Sequence, residues 1–160
     1  MKINTRSYKH NMSRLFFWLL LSLLSQNIYA ASPVPTTIKH AWIRLTPGDG
    51  PMAGYFEIVN HTDHNLTLSG ANSPAFGSIM IHQSEIHHGE ASMHAITQGL
   101  AISAGGTLRF SPGGYHLMLM ERKQSFTVGE QITITLMFRH HPDIHASFEL
   151  KPIWFEEERK

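Results

Sequence analysis

The chain has 160 residues, 12 histidines, 8 methionines and no cysteine, with a formal charge of +1. The missing thiol excludes a thiolate-ligated blue-copper site, cysteine nucleophiles, thiol redox motifs and a lipid-modified cysteine. Near-neutral charge without a Lys/Arg cluster makes nucleic acid or an anionic membrane a poor partner.

The N-terminus reads as a leader. Lys2, Arg6, Lys9 and Arg14 precede the apolar run Leu15–Leu24, and the small residues Ala30, Ala31 and Ser32 follow. That order predicts a secretory signal peptide over 1–30, cleaved after Ala30. The run is well short of the ~20 residues that a membrane span needs, so an uncleaved anchor is the weaker alternative and the mature chain is expected to have no span. Cleavage removes four of the thirteen Lys/Arg and none of the twelve Asp/Glu, which takes the net charge from +1 to −3. What remains is the size of one domain, large enough to bury a full core without disulfides.

Residues 31–37 hold Pro33 and Pro35 and read as a flexible lead-in. Strands are expected over Ile38–Leu45, Ala53–Val59 and Leu66–Gly70, separated by the turn-rich Thr46–Pro51 and the polar Asn60–Asn65. Phe76–Gln83 follows as a strand, then a polar, His-rich turn over Ser84–Glu90 and a strand over Ser92–Thr97. A short apolar piece at Leu100–Ile102 and a strand over Thr107–Phe110 flank the Ala104–Gly106 turn. Gln131–Phe138 alternates cleanly, and the last strand is expected over Ile144–Trp154. Beyond the leader, no apolar pattern holds a helical period over ten or more residues. The whole predicts an all-β sandwich or barrel spanning 38–155, with a charged tail at 156–160.

Ser111-Pro-Gly-Gly114 opens into Tyr115-His-Leu-Met-Leu-Met120. Alternation in a strand puts Tyr115, Leu117 and Leu119 on one face and His116, Met118 and Met120 on the other. The first is a core face; the second carries imidazole and thioethers, a soft ligand set suited to Cu(I). His116 and Met118 lie ~7 Å apart along the strand, close enough to share an ion. His82 and Met93 flank the Ser84–Glu90 turn, and an even-numbered loop would put them on one sheet face. Two His/Met pairs could then make an N2S2 site. Taken singly, these residues have plainer readings, with Met118 and Met120 as core and His82 as a hydrogen-bonded rim residue. His87, His88, His94, His61, His64 and the pair His140-His141 read as solvated turn residues, and His40 beside Trp42 as a possible rim.

Gly113–Met120 closely resembles the signature of the PCuAC family of periplasmic copper chaperones. Ala41-Trp-Ile-Arg44, Ala53-Gly-Tyr-Phe56, Ala71-Asn-Ser-Pro74 and Ala104-Gly-Gly-Thr107 extend the resemblance over most of the mature chain. The family's motif is His, about ten residues, Met, about twenty-one residues, then His-x-Met. Here ten residues separate His82 from Met93, and twenty-two separate Met93 from His116-Leu117-Met118. The extra residue can be absorbed by a loop. Family members often carry a further Met just after the first His, where this chain has Gln83 and Ser84.

The resemblance implies a single-domain, cupredoxin-like Greek-key β-sandwich in the periplasm; a monomer is expected. It implies Cu(I) held by His82, Met93, His116 and Met118 and passed by ligand exchange toward a cytochrome oxidase copper centre or a Sco-type protein. Cu(II) at a secondary site is a further option, although the family's Met- and His-rich tail is replaced here by Glu156–Glu158. Neutral histidine is required, so affinity should fall as pH drops through the histidine pKa. No Ser/His/Asp order, spaced carboxylate pair or phosphate loop points to an enzyme. Two alternatives stand beside this reading: a Zn(II) or Cu(II) buffer built on the histidines, and a metal-free β-sandwich interaction module.

Overall fold

The computed structural model describes residues 35–155. The predicted leader, most of the lead-in and the charged tail lie outside them. Ten strands make up the described chain: β1 (Thr36–Leu45), β2 (Met52–Asn60), β3 (Leu66–Asn72), β4 (Phe76–His87), β5 (Glu90–Ala95), β6 (Leu100–Ile102), β7 (Thr107–Phe110), β8 (Tyr115–Arg122), β9 (Gln131–Arg139) and β10 (Ile144–Pro152). None of the described residues is helical. The strands pair in the order β5-β4-β8-β2-β1-β10-β9-β3-β6, and β7 pairs with β2 beyond the end of β8.

Alternation drives the assembly. In β9, Ile132, Ile134, Leu136 and Phe138 are buried, while the alternating Gln131 and Thr133 face solvent. β10 buries Ala146, Phe148 and Leu150 in the same way, and β8 buries Leu117 and Leu119. The inward residues of β4, β8 and β2 join those of β10, β9, β3 and β6 in one hydrophobic cluster. A continuous sheet can do this only by folding back on itself, and the result is the predicted β-sandwich with Greek-key connections. Phe56 stacks on Phe110 with ring centroids 4.3 Å apart and meets Phe148 edge-on at 5.4 Å, tying β2, β7 and β10 together. The terminal strands β1 and β10 pair in parallel, Trp42 opposite Glu149. The antiparallel pairing of β2 with β1 is interrupted by a bulge between Lys39 and Trp42, where His40 adopts a left-handed φ of 51°.

Two turns set the position of the strands that matter below. Gly114 N–H donates to the Ser111 carbonyl at 3.0 Å, Pro112 follows Ser111, and Gly113 has φ of 81°. This is a type II turn, whose third residue must adopt positive φ and therefore favours glycine. It fixes where β8 begins. The β4–β5 connection differs from expectation. The predicted seven-residue turn over Ser84–Glu90 is instead a two-residue one: His87 pairs with Glu90, and His88 and Gly89 take φ of 54° and 88°. Positive φ at both positions is the geometry whose twist matches a hairpin. Ser84, Glu85 and Ile86 belong to the ladder. Their polar neighbourhood marked exposure on a sheet edge, which composition alone does not distinguish from a loop.

A candidate metal centre on the outer face of the β4–β8 ladder

The register between β4 and β8 is regular, pairing Ile79 with Leu119, Met80 with Met118, Ile81 with Leu117 and His82 with His116. Ile81, Leu117 and Leu119 point into the core. Pleating then turns Met80, His82, His116 and Met118 to the opposite face. There the two histidines, 34 residues apart in sequence, are directly opposed. Their ring centroids lie 5.8 Å apart with planes at 66°. With a metal–nitrogen bond of about 2 Å, two imidazoles sharing one ion have centroids roughly 6 Å apart, so the pair is spaced to hold one.

Both imidazoles are buried, each 8% exposed. His116 Nδ1–H donates to the Gly114 carbonyl at 3.1 Å. That bond fixes the tautomer and leaves Nε2 with a free lone pair, as in metal-ligating histidines. His82 is the more telling residue: both of its ring nitrogens are inaccessible to water and neither has a hydrogen-bond partner. A buried imidazole left in this way costs about 1–3 kcal/mol, which a protein retains where the group has another use. Burial holds the His82 pKa below the ordinary histidine value, and the charges of His116 and His94 push it the same way. The ring is therefore neutral, the form that binds a metal.

Sulfur donors share this face with the pair. Met118 lies two residues beyond His116 on the same face and is half-buried. Met93 shares the face of His82 as expected, because His82 pairs with Ala95 and Met93 lies two residues before it. It is nonetheless one strand further out, opposite Ser84, and 51% exposed. Met120 continues the face of Met118 and pairs with Ser78. Met80 was not among the residues singled out from the sequence, yet it faces Met118 directly and is 41% exposed. The signal for it was present: once His82 is opposed to His116, antiparallel geometry puts residue 80 opposite residue 118.

On the other side of His116 the sheet carries an aromatic row. The Tyr55 ring lies 6.5 Å from that of His116, Trp42 is 4.6 Å from Tyr55, and Phe155 is 4.9 Å from Trp42. The Arg44 guanidinium sits over both Trp42 and Tyr55, at 5.4 and 5.5 Å from their ring centres. Burial raises the Tyr55 pKa and Arg44 partly opposes that, so the phenol stays neutral and the row offers no anionic ligand. Tyr55 and Trp42 are themselves buried and wall the site on this side.

The other histidines are placed differently. His94 pairs with Gln83 and so takes the face opposite Met93, His88 forms the hairpin turn, and His61 and His64 lie on an exposed loop. His140 occupies another left-handed turn position, and His141 rests 5.5 Å from the Phe138 ring. His40 sits in the β1 bulge, with β2 between its strand and that of His116. Among the described residues, no three histidines or carboxylates come together as a metal-binding group. The further donors on the face of the His82–His116 pair are the thioethers of Met80 and Met118, with Met93 one strand out.

Comparison with known proteins agrees with this architecture. The family model for LpqE-like lipoproteins matches residues 36–150. A lipoprotein of Leifsonia xyli, Lxx21020, is 33% identical over 101 residues, covering 63% of this chain and 60% of its own length. Protein RP573 of Rickettsia prowazekii is 30% identical over 86 residues, covering 54% and 48%. The chain thus spans about half to three-fifths of the length of these two relatives. Among solved structures, the Cu(I) form of DR1885 from Deinococcus radiodurans superposes with a TM-score of 0.60 at 29% identity, over 79% of this chain and 85% of that one. The copper-bound PCuAC domain of PmoF2 superposes with a TM-score of 0.60 over 74% of this chain and 93% of that one. At 21% identity the second likeness shows the cupredoxin-like fold alone.

Proposed function

We propose, from the premise that the chain belongs to the LpqE-like family, that it is an extracytoplasmic copper carrier that binds Cu(I) through His82, His116, Met118 and Met93. The observation that carries the reading is the buried His82–His116 pair, with both nitrogens of His82 unpartnered, set among thioethers. Two neutral imidazoles and neutral sulfurs form a soft, uncharged donor set, which suits Cu(I) over Zn(II) or Cu(II). Thioether sulfur also suits an oxidising compartment, because it is not consumed by disulfide formation. The likeness to DR1885, solved with Cu(I), supports the same choice of metal.

The chain's own part is to bind and release. Burial keeps His82 neutral, and the Gly114 carbonyl orients His116. The aromatic row of Tyr55 and Trp42 excludes water from one flank, while the flank at β5 is open. An acceptor's ligands can approach the ion there and replace the site's own one at a time. The resemblance to periplasmic copper chaperones points to a cytochrome oxidase copper centre, or a Sco-type protein on the way to it, as acceptor. The signal peptide over 1–30 supplies export, and the role requires no catalysis.

Anaerobic Cu(I) titration of the protein against a chromophoric chelator, with X-ray absorption of the loaded form, tests the assignment. Mixed nitrogen and sulfur scattering is expected. A shell of nitrogen and oxygen alone, or unchanged affinity in Met93→Leu/Met118→Leu, would overturn it.

A further inference from the structure

We propose that Met80 is also a copper ligand and shares one coordination position with Met93. The ion could then rest on the β4–β8 ladder alone while Met93 is displaced. This rests on the Cu(I) reading above and deepens it.

The argument is one of placement. Met80 and His82 on β4 oppose Met118 and His116 on β8, making a two-by-two block on adjacent strands. In such a block, opposed Cα atoms are about 4.5–5.5 Å apart and diagonal ones about 7–8 Å. Every member is therefore within one pair-step of every other. Met93 lies outside the block. It is diagonal to His82 and separated from β8 by the whole width of β4, about 10 Å at the usual strand spacing. Met80 is better placed than Met93 to complete a set with His82, His116 and Met118.

The two methionines also differ in support. β4 is paired on both sides, with β8 and β5, whereas β5 pairs with β4 alone and all six of its residues are exposed. Packing does not explain Met80. The core face of β4 is already supplied by Ile79 and Ile81, and Met80 stands 41% exposed on the other face. An exposed thioether two residues from an unpartnered buried imidazole, and opposite a second thioether, is placed for the same ion.

A carrier that releases its ion by ligand exchange gains from such redundancy. One Cu–S bond to Met93 breaks as one to Met80 forms, and copper remains Cu(I), with no electron or proton transferred. Coordination number is kept while the open flank at β5 is freed for an incoming ligand.

Cu(I) affinity by chelator competition and sulfur count by X-ray absorption should be measured for the wild type, M80L, M93L and M80L/M93L. Far-UV circular dichroism should confirm the fold; Met→Leu at these exposed positions conserves volume. Because partners that replace one another are non-additive, each single variant should lose less than about tenfold in affinity and keep its sulfur count. The double variant should lose at least about a hundredfold, and one sulfur with it. If M80L changes nothing in the M93L background, Met80 is not a ligand and the inference fails. If M80L alone already loses a sulfur, the two positions are not shared and the inference also fails. A wild type with no sulfur in its shell instead removes the Cu(I) reading beneath it.

Discussion

Strands β8 and β9 are built on the same plan and do different things. Both bury a row of aliphatic side chains, Leu117 and Leu119 in one and Ile132, Ile134 and Leu136 in the other. Their outward faces diverge. On β9 that face presents Gln131, Thr133 and Thr135; Thr135 Oγ1 meets His145 Nδ1 at 2.9 Å, and the Thr133 carbonyl accepts from Ser73 Oγ at 2.8 Å. On β8 it presents His116, Met118 and Met120, opposed on β4 by His82 and Met80, and the His82 ring makes no hydrogen bond. The inward rows hold the sandwich together. The outward row of β9 is satisfied by its surroundings, while that of β4–β8 keeps donor atoms in reserve.

Targeted substitutions would break or sharpen this contrast. The largest effect is expected from His82→Leu/His116→Leu. Since partners one shell removed from a metal already cost about 10–100-fold in affinity, losing both imidazoles should abolish measurable Cu(I) binding in a competition titration. Thr133→Val/Thr135→Val on β9 should leave Cu(I) affinity untouched. Next comes Leu117→Ala, which empties a site 0% exposed and should cost about 2–5 kcal/mol by chemical denaturation. In the folded fraction Cu(I) binding should persist, separating the two faces of one strand. Gly113→Ala should cost about 1 kcal/mol, because the type II turn requires positive φ there. It should also weaken copper binding more than Gly129→Ala, since the turn positions Gly114 and hence His116.

The smallest and most diagnostic effect concerns His82 alone. His82→Leu should leave the metal-free protein no less stable, or up to about 1 kcal/mol more stable, since it removes an unpartnered buried polar group. A clear fall in melting temperature would mean that the imidazole has a structural partner. The same residue gives a pH dependence. Its folded pKa lies below the ordinary value, so on acidification the unfolded chain takes the proton first. Stability of the metal-free protein should therefore decline as pH falls through the usual histidine range, about 6.5, and the decline should be smaller in His82→Leu. Copper affinity should fall on acidification, because binding requires the neutral ring.

The sequence by itself determined a good deal. Period-2 alternation in Gln131–Phe138 and Tyr115–Met120 settled the all-β class, because successive side chains in a strand must face opposite sides. It also separated the soft face of β8 from its core face, and the motif residues His82, Met93, His116 and Met118 were named from spacing and resemblance. Local pattern was less useful at Ser84–Glu90, where exposed strand and loop have the same composition. Only the tertiary structure decided which residues meet. The register of β4 against β8 joins segments more than thirty residues apart and is set by how Ile79, Ile81, Leu117 and Leu119 share the core. A slip of one residue would have turned the imidazoles inward. The register opposed His82 to His116, left His82 unpartnered, set Met93 one strand out and brought Met80 into the block, none of which a linear spacing can state.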